Sequence, residues 1–246
     1  MSAPRTTLAA ALAALALAAA APAAAQSSKA DAFAGKIPPV SGQLYRKAGR
    51  VELTATGNMS LNDAFFTKYF GGLKATYHFS EHWAAGLHGA TGATVKTNSA
   101  QVCSPTKGCL DADAAMLRQV PGRIRYIVGA EAAWSPVYGK LNALSEQVAH
   151  FDLSIFAGPD LIGHDEVLAK EVAATRSPGV KSALGGHVGV GLRVFLTESI
   201  AARLEVKDYV YAVKVPNGGI GNDLQNQLFA EVGVSLFLPT RNRQIR

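Results

Sequence analysis

Residues Glu231–Leu238 read EVGVSLFL and close a longer alternating segment that begins at Leu224. Leu228, Ala230, Val232, Val234, Leu236 and Leu238 share one face, while Glu231, Gly233 and Ser235 share the other. Alternation of period two over this length is a β-strand signal, because successive side chains leave opposite sides of the pleat. A strand that is apolar on one side and polar on the other suits a wall between lipid and a wet interior.

Seven earlier segments follow the same rule. Val51–Met59 sets Val51, Leu53, Ala55, Gly57 and Met59 against Glu52, Thr54, Thr56 and Asn58. Thr67–Phe79 sets Tyr69, Leu73, Ala75, Tyr77 and Phe79 against Lys74, Thr76 and His78. Trp83–Val95, Ile124–Trp134, His150–Ala157, Leu184–Phe195 and Ile200–Tyr211 complete the set, with Ile124 and Tyr126 expected outside and Arg125 inside. Connections at 80–82 and 196–199 are tight, whereas those at 96–123, 158–183 and 212–223 are long. Short turns at one end and long loops at the other are the asymmetry of a transmembrane barrel. A soluble sandwich would need shorter strands and a charged exterior. Strands of about eleven residues, rising about 3.3 Å each and tilted by about 40°, cross a membrane's apolar band. The expected fold is all-β: an eight-stranded antiparallel transmembrane β-barrel, an up-and-down meander over residues 50–239.

Met1–Ala25 carries one basic residue (Arg5), an apolar run and Ala23-Ala24-Ala25, the anatomy of a cleavable signal peptide. Residues 26–49 read as a periplasmic spacer, and 240–246 as a basic tail with Arg241, Arg243 and Arg246. The whole chain carries a formal charge of +6. Its basic residues are dispersed rather than clustered among aromatics, so nucleic-acid binding has no support. No window after the signal holds eighteen consecutive apolar residues, which excludes a helical span and leaves a closed barrel in the outer membrane of a Gram-negative cell. Cys103 and Cys109 flank a short polar stretch and are expected to form a disulfide on an exported loop.

The polar faces carry five acids (Glu52, Glu131, Asp152, Glu205, Glu231) and five bases (Lys74, Arg125, Arg193, Arg203, Lys207). An eight-stranded barrel is just wide enough for side chains to fill. Charges inside it must pair, since an isolated buried charge is too costly. The balance predicts a plugged, ion-paired lumen rather than a pore. Tyr77, Phe79, Trp83, Trp134 and Phe237 fall near strand ends on the short-turn side, where an aromatic girdle is expected. Asp208 shares parity with Leu204 and Val206, so it marks either the outer rim or a bulge.

Chemistry finds little purchase. His150, Asp152 and Ser154 are the residue types of a nucleophilic triad, but same-face neighbours lie about 6.6 Å apart and project in parallel. Lumen hydrogen bonding suits them better. The glycines of 185–191 lack the strand–turn–helix setting of a phosphate loop. His78, His88 and His187 offer one alternative, a metal site formed by meeting across the lumen, but dispersed histidines more often make structural hydrogen bonds, so no metal, cofactor or catalytic residue is assigned.

The spacing of Glu231, Gly233, Leu236 and Leu238 resembles the assembly signal by which outer-membrane barrels present their last strand to the barrel assembly machinery. A wider likeness rests on Arg50–Leu53 (RVEL), Asn62-Asp63-Ala64-Phe65, Tyr77–Trp83 (YHFSEHW), Trp134–Lys140 (WSPVYGK), Phe151-Asp152, Gly191–Phe195 (GLRVF) and Phe237-Leu238-Pro239. In this order they resemble an outer-membrane β-barrel domain family abundant in myxobacteria, over roughly residues 45–239. The resemblance implies a non-enzymatic structural or assembly component of an envelope complex, with gliding motility among the family's roles. It implies contact with the bilayer and with envelope proteins, for which the 138–148 connection offers a docking surface. A small passive channel is the alternative function, and a lipid-modifying enzyme a third.

Overall fold

The computed structural model describes residues 45–97, 99–105, 108–143, 147–216 and 222–239. The expected signal peptide, the spacer as far as residue 44 and the tail 240–246 lie outside these residues. Ten strands occur in chain order: β1 (Val51–Ser60), β2 (Phe66–His78), β3 (Trp83–Lys96), β4 (Gln101–Ser104), β5 (Gly108–Asp111), β6 (Ile124–Ala143), β7 (Gln147–Asp165), β8 (Val180–Phe195), β9 (Ile200–Lys214) and β10 (Asn222–Leu238). Eight of them close a barrel in the order β1-β10-β9-β8-β7-β6-β3-β2, every pair antiparallel. The closing seam runs from Val51↔Leu238 to Ser60↔Phe229, so Glu231–Leu238 does form the final stave.

The burial pattern is inverted relative to a soluble protein. Glu52, Lys74, Asp152, Arg193 and Glu205 are buried, while Leu53, Leu73, Leu87, Val128, Leu184 and Val232 are exposed. Water outside and charge inside would forfeit the burial of every one of those apolar side chains. A lipid exterior removes the conflict, and closure leaves no strand edge unpaired in lipid.

Turns at 79–82 and 196–199 tie the short end together. At the other end β4 and β5 form a small hairpin joined by the Cys103–Cys109 disulfide. A helical turn at Ala114–Leu117 follows, with the Asp113 side chain accepting from the Met116 N–H (2.8 Å). The next long loop carries a second turn of helix, Lys170–Ala173. The two loops clasp one another, since Arg118 donates to the carbonyl oxygens of Ala173 (2.9 Å) and Arg176 (3.2 Å).

β6 and β7 run well past the lengths the sequence pattern predicts. The expected strand ends at Trp134, yet it continues through Ser135-Pro136 by a register shift between Trp134 and Val137. The expected 138–148 connection is therefore mostly strand: pairing with β7 continues to Ala143↔Gln147, and the turn itself lies outside the described residues. A second shift between Ile124 and Tyr126 turns Ile124 inward and Arg125 outward, reversing the expectation for both. Arg125 instead holds Asp165 at the outer rim (2.6 and 3.0 Å), its side chain 51% exposed. Asp208 sits in an unbroken register, so no bulge turns it, and it accepts two hydrogen bonds from Asn226 (2.6 Å each), which lies beyond the end of β1.

Four of the five girdle aromatics face outward: Tyr77, Phe79, Trp83 and Trp134, with the two tryptophan rings stacked 6.2 Å apart. Phe237 does not. It shares parity with Glu231 and Ser235 and is 1% exposed, packed inside against Phe195. Tryptophans at a lipid interface should be quenched by brominated phospholipids. In vesicles, headgroup-proximal bromines should quench the fluorescence more strongly than bromines near the chain ends. Equal quenching at all depths would contradict the girdle.

Candidate functional site

The polar parity of eight strands projects into one narrow space, and there the side chains form a continuous ladder of ion pairs. At the short-turn mouth, Lys47 donates to Asp152 (2.6 Å), which also accepts from Arg193 (2.7 Å). Arg193 straddles Glu52 with bonds of 3.2 and 2.8 Å. Glu52 accepts further from Arg203 (3.0 Å) and meets the His78 ring (2.8 Å). Arg203 continues to Glu205, and Glu205 to Lys74 (2.8 Å). Lys74 reaches Glu131 (3.0 Å), and Lys207 links Glu131 (3.6 Å), Glu205 (3.4 Å) and Glu231 (3.0 Å). Nine of the ten predicted lumen charges are thus brought together, Arg125 being the exception.

The ladder includes members that the alternation pattern does not announce. Lys47 precedes the first strand, where no periodicity flags it, yet it is 1% exposed. Burial pulls its ammonium below the ordinary lysine range, and Asp152 opposes that pull. Arg50, just before β1, donates to the backbone oxygens of Phe237 (3.2 Å), Pro239 (2.8 Å) and Glu198 (2.9 Å). Tyr45 stacks on Phe195 (5.2 Å). Residues 45–49, expected in the spacer, and Arg50 at the start of the expected barrel therefore form a cork in the short-turn mouth. Asp160 is the other addition, because Gly158-Pro159 reads as the end of a strand. The strand in fact continues past Pro159, which has no N–H to give; β7 pairs with β8 throughout, whereas pairing with β6 skips from Ala157 to Asp160.

Phe156 sits in the middle of the ladder with the Lys74 and Lys207 ammonium groups 5.2 and 5.3 Å from its ring centroid. Gly189 faces this ring, and a Cβ there would run into it. Above the charges, Phe70, Ile124, Ile127, Ile162, Tyr209, Tyr211 and Phe229 form an apolar layer inside the barrel. Charges below and an apolar layer above fill an interior of this strand number.

The residue types of a nucleophilic triad stay apart in function. His150 bonds the Tyr138 hydroxyl (2.8 Å), Asp152 holds Lys47 and Arg193, and Ser154 donates to the Gly191 carbonyl (3.4 Å). Each is engaged separately, without the chain of hydrogen bonds that activates a nucleophile. Of the three dispersed histidines, His88 and His187 meet (ring centroids 5.1 Å apart), whereas His78 pairs with Glu52. On β10, Glu231 points inward while Leu236 and Leu238 face out, with Gly233 between them.

No family model matches the chain, and no curated protein matches it by sequence. Among solved structures it is similar to the N-terminal β-barrel domain of OprF from Pseudomonas aeruginosa, at 12% identity and a TM-score of 0.47, covering 78% of this chain and 98% of that one. It is similar also to the outer membrane protein OprG of the same organism, at 14% identity and a TM-score of 0.42, covering 78% and 97%. Neisserial surface protein A shares 11% identity at a TM-score of 0.37, covering 76% and 94%. The architecture of this chain rests on its own closed strand order and inverted burial: it is an eight-stranded transmembrane β-barrel with an ion-paired interior.

Proposed function

We propose that this chain is a sealed outer-membrane barrel acting as a non-enzymatic structural or assembly component of an envelope complex. The filled lumen carries the reading: Glu52, Arg193, Arg203, Glu205, Lys74 and Glu131 bond one another across the interior, leaving no row of free charges to conduct ions. The outward Leu236 and Leu238 beside Gly233, on the strand that closes the barrel, support a role as the signal read by the barrel assembly machinery. The clasped outer loops and the long β6–β7 hairpin supply surface for protein partners. The likeness to the myxobacterial barrel family makes gliding motility the process to test first.

In planar lipid bilayers the folded protein should give no unitary current steps. Steady single-channel steps, lost on heat denaturation, would support the passive-channel reading instead. Cross-linking and capture from native membranes should recover envelope proteins if the structural role holds.

A further inference from the structure

Asp160 differs from the other ladder carboxylates. Among the described residues its ion-pair contacts are with two histidines and no lysine or arginine: His88 Nε2 at 3.1 Å from Oδ1 and His187 Nδ1 at 2.7 Å from Oδ2. Glu131 lies alongside, its Oε2 3.7 Å from His187 Nε2 and 3.9 Å from His88 Nδ1. All four side chains are more than nine-tenths buried, and they come from four different strands, β3, β6, β7 and β8. Both His88 nitrogens, His187 Nε2, Asp160 Oδ1 and both Glu131 oxygens lack a well-directed hydrogen bond. Buried polar atoms are rarely left so, and here several of them converge on one spot.

Asp160 faces His187 Nδ1 (2.7 Å) and His88 Nε2 (3.1 Å), while Glu131 lies beside the far nitrogen of each ring, the place from which a carboxylate orients a metal-binding imidazole. A four-coordinate ion with bonds of about 2.0–2.2 Å holds its ligand atoms about 3.3–3.6 Å apart. One ligand atom from each of His88, Asp160 and His187 lies within 4.8 Å of the other two, close enough for small side-chain shifts to reach that spacing. Two imidazoles with carboxylate oxygens suit zinc better than calcium or magnesium, which take six or more oxygens. Lys74 and Lys207 face the same group. Lys74 contacts Glu131 Oε1 (3.0 Å), and Lys207 lies 3.6 Å from Glu131 Oε2 while pairing with Glu231 (3.0 Å); among the described residues neither lysine forms an ion pair with Asp160.

We propose that His88, Asp160 and His187, with Glu131 beside them, form a buried site for one divalent transition-metal ion of the zinc type inside the barrel. The site lies between the ion ladder and the apolar layer, so the ion enters while the strands close and is trapped afterwards.

The test uses the full chain folded in detergent with Zn²⁺, desalted, and assayed for zinc by mass spectrometry, with heat-modifiable gel migration as the check on folding. About one zinc per folded chain is expected. Zinc content should fall roughly tenfold or more in His88→Ala and His187→Ala. It should not change in His82→Ala, which alters a turn histidine outside the cluster. Where an alanine variant does not fold, His187→Gln, closer in volume, replaces it. EDTA present during folding should yield zinc-free barrel, whereas EDTA added afterwards should remove zinc slowly. Three results would overturn the site: a folded wild-type barrel without zinc, zinc retained equally by the histidine variants, or immediate stripping by EDTA. An ¹⁵N spectrum showing His187 doubly protonated at neutral pH in zinc-treated protein would do the same.

Discussion

Glu52→Ala should destabilise the barrel by about 3–5 kcal/mol, the largest loss expected from a single side chain here. Glu52 is fully buried and neutralises Arg193 and Arg203 while bonding His78. Removing it leaves Arg193 with Asp152 and Arg203 with Glu205, one positive charge in excess in a buried ladder with no water to replace the carboxylate. Urea titration of the folded protein in lipid vesicles, followed by gel migration, measures the change. Adding Arg193→Leu to Glu52→Ala should recover part of the loss, because it removes the excess positive charge while Asp152 keeps Lys47. A cost below about 1 kcal/mol for Glu52→Ala would mean that water reaches the ladder.

Leu73→Arg should cost about 2–4 kcal/mol in a bilayer. Leu73 is 72% exposed and lies midway along β2, paired with Ala55 on one side and Gly89 on the other. In a water-facing barrel an arginine at so open a position would be neutral. In hydrocarbon it must strip or drag its hydration shell. The same urea titration reads the difference, and Leu73→Ala separates the charge from the loss of apolar surface. A neutral outcome for Leu73→Arg would contradict the lipid-facing exterior.

The alternation of Glu231–Leu238 and its seven counterparts made the barrel legible, because a lipid exterior and a polar interior impose period two wherever a strand is regular. Legibility fails where regularity does. Arg125 was misplaced by one position because a bulge at 124–126 cannot be read from side-chain type. Asp160 was hidden behind Gly158-Pro159, which signal a turn in most settings but here lie within a strand. Phe237 was assigned to the girdle by its distance from the strand end, although its parity already put it inside. Lys47 carries no signal, since a spacer ahead of the first strand has no pattern to break, and Arg50 is marked only by the Arg50–Leu53 likeness. The lumen was thus legible as a balanced set of charges. The His88–Glu131–Asp160–His187 cluster was not, because it depends on the stagger of four strands rather than on any local spacing.

The charges threaded through the barrel strands also bear on how such a chain reaches its membrane. An outer-membrane protein must first cross the inner membrane, where a long apolar run would stop transfer and lodge there as a helix. Among the described residues no helix is long and apolar enough to cross a membrane. Glu52, Lys74, Glu131, Asp152, Arg193 and Glu205 interrupt the apolar character of the strands that carry them. The residues that lock the finished barrel are therefore also those that let the unfolded chain pass the first bilayer without being held by it.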